Sequence, residues 1–524
     1  MINPTLTGRH EMMHKRLINS LLAITFFFGT IGYSSATEKT EQWGVHEIIL
    51  PGAATGNPYQ EVTLKAEFKQ GSRRFTVPGF YDGEGVYKIR FSPDSLGTWQ
   101  YVTQSNLAEL SGQSGSLECT KPTGNNHGPV RIVNTYYIEY ADGSPFYSIG
   151  TTAYQWTSVK QSIQEQTVQT LAGSPFNKIR MCVFPKSYKH GNDTEPWQYP
   201  FASQNDFTRP NYDFFQNFDK RVHQLLELGI QADVILFHPY DKWGYAAMGK
   251  ENNAKYVRYM IARLSAYRNV WWSLANEWDV PRIKEAIDWE QIGTILHNED
   301  PHQRLRGIHN WYGSEDHFYD HSRPWITHIS TQTHQFYNAV KWRNRYKKPL
   351  LFDEMRYEGD VTSGWGNMSS EDMASFFWMA GLSGGYPTHG DTYRNNSDHE
   401  TEVRWWAKGG LLVGRSPLRI AFFKFFMETL PVKEMSPSIE DNGNQKNLNN
   451  NVYTLSKEGE IYVSYVADAE VEIKLELTGN RLYQFTVIDT WNMKMSSRND
   501  VQPGEFRYKT RNKYEAVYLR SKHH

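Results

Sequence analysis

In Ser273-Leu274-Ala275-Asn276-Glu277-Trp278-Asp279 and in Pro349-Leu350-Leu351-Phe352-Asp353-Glu354-Met355, a glutamate stands at the end of an apolar run. A buried strand reads as a continuous hydrophobic run, so each carboxylate is placed at the rim of a sheet, where parallel barrels keep their chemistry. Two such rims facing one cleft supply an acid and a nucleophile for breaking a glycosidic bond. One carboxyl protonates the leaving oxygen while the other, roughly 5–5.5 Å away, attacks the anomeric carbon. Glu277 and Glu354 are the candidates for these two roles. The donor has to stay protonated near neutral pH, and a second carboxylate nearby supplies part of the necessary rise. Once the sugar is attached, the charge on the nucleophile is gone and the donor can act as base. Asp279 and Asp353 are the rival carboxylates. Alternate residues of a strand face opposite sides, so Asp353 is expected to point away from the cleft if Glu354 points in.

The elements that must position this pair are written in the hydrophobic pattern. From Tyr147 on, strand-like runs (146–152, 178–184, 232–237, 270–274, 305–309, 326–330, 350–352 and 385–389) alternate with amphipathic stretches at 212–228, 254–267, 289–297, 371–382 and 418–430. Eight strands alternating with helices fit a (β/α)8 TIM barrel, whose usual size is about 250 residues. The competitor, a doubly wound sheet, would show a glycine-rich phosphate loop after its first strand, and Ile149-Gly150-Thr151-Thr152 offers one glycine. Dinucleotide binding is therefore not expected. Before the barrel, short runs near 45–50, 62–68, 86–91 and 98–103 are broken by Pro51-Gly52, Asp82-Gly83 and Asp94 to Gly97, which predicts an Ig-like antiparallel sandwich. After Pro431 and an Asn/Gln-rich linker at 442–451, runs at 452–456, 461–466, 471–477, 483–488 and 514–519 predict a small C-terminal β-sandwich. The expected organisation is multidomain: a leader over 1–36, the N-terminal sandwich over 37–130, the barrel over 131–432 and the C-terminal sandwich over 433–524.

Composition narrows the partners. With 56 basic and 57 acidic residues, net charge −1, no global field favours nucleic acid or an anionic membrane surface. Tyr and Trp, 32 and 17 of them, combine an apolar face with a polar handle and suit sugar rings as well as cores. Arg9, His10, Lys15 and Arg16 precede the apolar stretch Leu17 to Gly29, followed by Ser34-Ser35-Ala36, the pattern of a removable secretory signal. The mature chain is then expected to be secreted or periplasmic, with no membrane insertion after signal removal. Only Cys119 and Cys182 are present, so neither a disulfide framework nor a thiolate metal site is expected.

With the strand count in hand, the central segment resembles the clan A glycoside hydrolases, retaining barrels with an Asn-Glu pair ending the fourth strand and a second Glu ending the seventh. Asn276-Glu277 and Glu354 occupy those places, and the resemblance implies Glu277 as acid/base and Glu354 as nucleophile. More narrowly, the whole chain resembles the apiosidase-like barrel proteins of polysaccharide-degrading bacteria, which carry an N-terminal Ig-like domain and a small C-terminal β-domain. The resemblance implies that Asn276 bonds the sugar 2-hydroxyl and that Arg180, on the second strand, keeps the nucleophile ionised. It implies that His238 of His238-Pro239-Tyr240 lines the sugar site, and that His334 or Tyr337 bonds to Glu354. His309 and Trp311 after the fifth strand and Tyr393 with His389 after the eighth complete the rim. Where the clan often presents a Trp after the eighth strand, this chain has His389 and Tyr393, so the aromatic platform is left open. Trp156, Trp243, Trp278, Trp311 and Trp365 fall in rim loops and could stack on sugars, with at least two of them ordinary packing.

The expected activity is hydrolysis of a plant or algal polysaccharide or its oligosaccharides, without cofactor. Although His238, His309, His334 and His389 could converge on a metal, no His-Glu-x-x-His spacing is present, and no metal is expected. No Gly-x-Ser-x-Gly elbow sits at a strand-to-helix turn. The alternatives are a carbohydrate- or matrix-binding protein on an inactive barrel, and a lyase or transglycosylase. The insertion from Lys186 to Pro210 is read as a wall at one end of the cleft that favours exo action. Sugar, linkage and oligomeric state are not encoded legibly, since rim loops set specificity and vary freely on one scaffold.

Overall fold

The computed structural model describes residues 38–187, 195–203, 205–311, 313–394, 404–440 and 448–522. The expected leader at 1–36 lies outside the described residues, as do parts of the 186–210 insertion and of the Asn-rich linker.

Eight parallel strands form the centre: β1 (Gly150–Thr152), β2 (Lys178–Cys182), β3 (Gln231–Phe237), β4 (Val270–Ala275), β5 (Arg306–Gly307), β6 (Ile329–Gln332), β7 (Leu350–Glu354) and β8 (Gly385–His389). Their order in the sheet is 5-4-3-2-1-8-7-6. The two ends meet where His309 bridges Ser330 and the Thr327 amide donates to the Arg306 carbonyl at 2.9 Å, so the sheet curls into a barrel. Every residue of β2, β3 and β4 is buried, as expected of strands covered on both faces.

Among the described residues, seven helices of two turns or more follow the strands: α1 (Gln161–Ala172), α2 (Tyr212–Glu227), α3 (Lys250–Leu264), α4 (Trp289–Glu299), α5 (Ala339–Tyr346), α6 (Ser370–Leu382) and α7 (Ser416–Glu428). α1 and α5 escape the hydrophobic pattern. The buried face of α1 is Gln164, Thr167 and Leu171, so its inward side is mostly polar and carries no apolar stripe.

The barrel interior is charged. Lys178 of β2 reaches Asp233 at 2.9 Å and Asp353 at 2.6 Å, all three buried. Ser330 and Thr388 also donate to Asp353. Asp353 therefore faces the axis, against the expectation that it points away when Glu354 points in. Strict alternation fails because the β6–β7 register slips at this point: Thr331 pairs with Phe352 but Gln332 pairs with Glu354. An extra residue in one strand re-aims its side chains, and two consecutive acids enter the barrel at different heights.

Ahead of the barrel lies a seven-stranded sheet, ordered 38–41, 114–120, 97–105, 64–70, 73–81, 86–91, 46–51. Strand Arg73–Tyr81 joins its halves, pairing first with Leu64–Gln70 and then, from Gly79, with Val86–Phe91. Arg90 of this sheet donates to Asp219 of α2 at 2.7 Å, and Arg263 of α3 pairs with Asp82 at 2.7 Å. After α7 comes a six-stranded sheet, ordered 436–440, 452–457, 461–466, 515–521, 483–489, 494–497, with a separate pair 472–477/504–509. Tyr465 ties it to α6, stacking on Trp378 at 5.8 Å and donating to Ser375 at 2.8 Å. Cys119 and Cys182 are both free and buried. Among the described residues, no helix is long and apolar enough to cross a membrane.

Candidate active site

Glu277 and Glu354 line one cavity of about 510 Å³ at the carboxyl ends of the strands. Glu277 follows Asn276 just past β4 in the left-handed region, φ +57°. Such backbone in a non-glycine residue persists where its surroundings fix it. The Asn276 amide donates to the Phe237 carbonyl at 2.9 Å and the Trp278 amide to the His309 carbonyl at 2.9 Å, so neighbouring strands hold the turn from both sides. Glu354 is the last residue of β7. Arg180 connects the two glutamate segments: its Nη1 lies 3.3 Å from Glu354 Oε1, and its Nη2 donates to Asn276 Oδ1 at 3.2 Å.

Each glutamate also accepts from a tyrosine. The Tyr154 hydroxyl, after β1, donates to Glu354 Oε1 and lies 3.3 Å from the Tyr357 hydroxyl. The Tyr240 hydroxyl, after β3, donates to Glu277 Oε2. Lys186 Nζ sits over the Tyr154 ring at 3.5 Å and near the Tyr240 ring at 4.8 Å, so one ammonium touches both tyrosines. Burial pulls this lysine down to about 8. Burial also raises both carboxyls, Glu277 to about 7 against the pull of Lys186 and Tyr240, and Glu354 to about 8 against the Tyr357 hydroxyl. On balance these surroundings leave Glu354 the more readily protonated of the two. The guanidinium at 3.3 Å and the hydroxyl donors act the other way, since each is attracted more strongly to a carboxylate than to an acid. The charge is assigned to Glu354 on those contacts.

Residues 133–404 match the family model described as "Apiosidase-like, catalytic domain", and residues 39–106 match a domain of unknown function, DUF5060. The chain belongs to the apiosidase-like family. A crystal structure from Bacteroides vulgatus ATCC 8482, provisionally described as a glycoside hydrolase, is 32% identical with a TM-score of 0.82, covering 93% of this chain and 100% of its own. A family 5 glycoside hydrolase from the same organism shares the fold at 14% identity, TM-score 0.60, covering 76% of this chain and 94% of its own. No curated protein sequence matches the chain.

Within this apiosidase-like barrel, the residues singled out from sequence divide into three groups. Arg180 and Asn276 lie directly against the glutamate pair, and Trp311 and His334 line the cavity. Trp311 is 44% exposed, and His334 stacks on Phe376 at 6.0 Å. His309 is fully buried beneath, its Nε2 4.0 Å from Glu354 Oε1, and burial holds it neutral.

His238, Tyr337 and Tyr393 stand outside the cavity lining. His238 donates from Nε2 to the Phe184 carbonyl at 3.0 Å and accepts the Tyr240 amide at Nδ1, so it shapes the turn that carries Tyr240 and does not face sugar. Tyr337 falls in the short turn Phe336–Asn338, and among the described residues the hydroxyl partners of Glu354 are Tyr154 and Tyr357 in place of His334 or Tyr337. Tyr393 turns toward Ser370, its amide held by Asp391 at 2.9 Å. His389 pairs with Glu358 at 3.0 Å behind the barrel. The four histidines thus occupy four separate environments. Asp279 is committed to the loop, accepting the Trp311 amide at 2.6 Å and pairing with His317 at 2.7 Å.

The aromatic wall after β8 is Trp406, on the short helix Trp405–Lys408, with Trp365 stacked on it at 5.4 Å. The Tyr154 amide donates to the Trp406 carbonyl at 2.9 Å, which fixes this tryptophan beside the glutamate pair. Of the five rim tryptophans, Trp311 and Trp365 line the cavity, whereas Trp156 and Trp243 are buried and Trp278 packs edge-on against Tyr319. Sequence reasoning missed Tyr154, Lys186, Tyr357 and Trp406 and gave Tyr240 no role. A signal existed: Tyr154, Tyr240 and Tyr357 each follow a strand's carboxyl end by two or three residues.

Proposed function

We propose that the chain is a retaining glycoside hydrolase acting on a plant or algal polysaccharide or its oligosaccharides. The observation that carries this reading is the convergence of Glu277 and Glu354, from β4 and β7, on one cavity, linked by Arg180 through Asn276. Glu277, raised to about 7, holds a proton that it can deliver to the leaving oxygen. Glu354, with its anion favoured by Arg180 and the tyrosine hydroxyls, attacks the anomeric carbon and forms a glycosyl ester. Forming that ester discharges Glu354, so Glu277 in its turn takes a proton from water, which attacks the same carbon and restores the configuration. Trp406, Trp365 and Trp311 offer faces for the sugar ring.

The same reading takes 1–36 as a cleaved signal and the site of action as periplasmic or extracellular. It takes 37–130 and 433–524 as Ig-like and small β-sandwiches around the barrel at 131–432. A panel of plant and marine oligosaccharides, followed by mass spectrometry and proton NMR, tests it. The expected product carries added water and retains its anomeric configuration, and Glu277→Gln and Glu354→Gln each abolish turnover. An unimpaired double variant would end the proposal, an inverted anomer would end retention, and an unsaturated product two hydrogens short would identify a lyase.

A further inference from the structure

We infer that the sugar recognised in this cavity carries an anionic substituent, a carboxylate or a sulfate ester, and that Arg356 holds it. The inference rests on the glycosidase reading and names its substrate class.

Arg356 stands two residues past Glu354 with φ +84°, a left-handed backbone in a non-glycine residue. Strain of this kind gathers at sites that need a side chain in one place. The guanidinium is clamped along one edge: Nε donates to the Gly364 carbonyl at 3.0 Å, and Nη2 donates to the same carbonyl and lies 3.5 Å from Asn367 Oδ1. Nη1 has no protein partner among the described residues, although the residue lines the cavity. No carboxylate pairs with Arg356 among the described residues, in contrast to Arg180, Arg263 and Arg404. A planar fork immobilised by backbone carbonyls, with one edge free, suits a carboxylate or sulfate.

The charge around it points the same way. Among the described residues, the lining cations are Lys186 and Arg356, and the lining carboxylates are Glu277 and Glu354. Asp279, two residues past Glu277, is consumed by the Trp311 amide and His317. An anionic group on the sugar would pair with Arg356 in a partly enclosed site, where charge pairs are weakly screened.

Calorimetric binding to the Glu354→Gln protein tests this without requiring turnover. The probes are a galacturonate trisaccharide with its fully methyl-esterified form, and a sulfated galactan oligosaccharide with its desulfated form. One acidic member should bind about tenfold or more tightly than its neutral partner, and added NaCl should narrow the gap. Arg356→Met should remove the preference, and Arg356→Lys should restore part of it. Which acidic series binds separates carboxylate from sulfate. Equal affinity within both pairs, a preference that survives Arg356→Met, or no binding of either acidic probe at millimolar concentration overturns the inference. Turnover of neutral oligosaccharides alone would sink it and leave hydrolysis standing. Acid-selective binding without turnover by the unmodified protein would do the reverse.

Discussion

Replacing Glu277 by glutamine should stabilise the fold, and by an amount that depends on pH in a defined direction. In the folded protein the carboxyl is raised from 4.5 to about 7, chiefly by burial, and the side chain is 6% exposed. The native state therefore holds this proton more tightly than the unfolded chain. Below about pH 4.5 both states are protonated and nothing is lost. Between there and about 7 stability falls as pH rises, and above it the penalty is constant. At about 1.4 kcal/mol per pH unit the full penalty is about 3 kcal/mol. Glutamine keeps an oxygen for the Tyr240 hydroxyl and carries no charge, so it mimics the protonated acid at every pH. For a chain of this size unfolding cooperatively, about 3 kcal/mol corresponds to a rise of about 3 °C in Tm. Scanning calorimetry of both proteins from pH 4 to 8.5 reads it directly: coincident Tm values at pH 4, diverging through pH 5–7, with the variant higher at pH 8 and inactive throughout. The exposed Glu285→Gln is the control and should shift neither end. A variant no more stable than the parent at pH 8, or equally stabilised at pH 4, would refute a buried, proton-retaining Glu277.

Other perturbations separate chemistry from scaffold. Tyr240→Phe removes the hydroxyl that favours the Glu277 anion, so kcat should fall about tenfold while the alkaline limb of the pH–rate profile moves to higher pH. Lys178→Met leaves Asp233 and Asp353 without their shared cation; a loss of about 3–5 kcal/mol in urea denaturation is expected, although Lys178 does not line the cavity. Trp406→Ala should raise KM about tenfold with a smaller effect on kcat, as expected for a stacking face that binds ground and transition states alike.

The parts of the molecule that were readable before its structure was known are those where burial forces a pattern. β3, with seven consecutive buried residues over Gln231–Phe237, is visible as the hydrophobic run 232–237, and Asn276-Glu277 is legible because it interrupts such a run. β5 has only two paired residues, Arg306–Gly307, inside the longer run read at 305–309. α1 was invisible because Gln164 and Thr167 fill its inner face. Strand Arg73–Tyr81 was hidden by Pro78 and by the change of partner within it. At the site, charged residues near strand ends were found and hydroxyls were not. A tyrosine in an aromatic-rich chain carries no mark that distinguishes a packing ring from a donor to a carboxylate. Lys186 was equally unmarked, since only the fold brings it between Tyr154 and Tyr240.

The slip at the end of β7 explains how one short strand serves both stability and chemistry. Without it, alternation would send Asp353 and Glu354 to opposite faces, and a glutamate in the cleft would imply an aspartate among the helices. With it, Asp353 drops onto Lys178, Ser330 and Thr388, and Glu354 rises to Arg180, Tyr154 and the cavity. The two acids then live in opposite electrostatic regimes one residue apart. Although burial opposes its charge, the Lys178 and Arg180 cations hold Asp353 well below the usual carboxylate range, whereas burial carries Glu354 up to about 8. The lower acid is a fixed charge that locks β2, β3 and β7 together through Lys178 and Asp233. The upper one sits near neutrality, where a change in its surroundings, such as a sugar displacing water or a proton moving on Glu277, alters its charge at small free-energy cost. A carboxylate held as firmly as Asp353 would be a poor nucleophile. The register slip keeps the firmly held acid beneath and presents the adjustable one to the cleft.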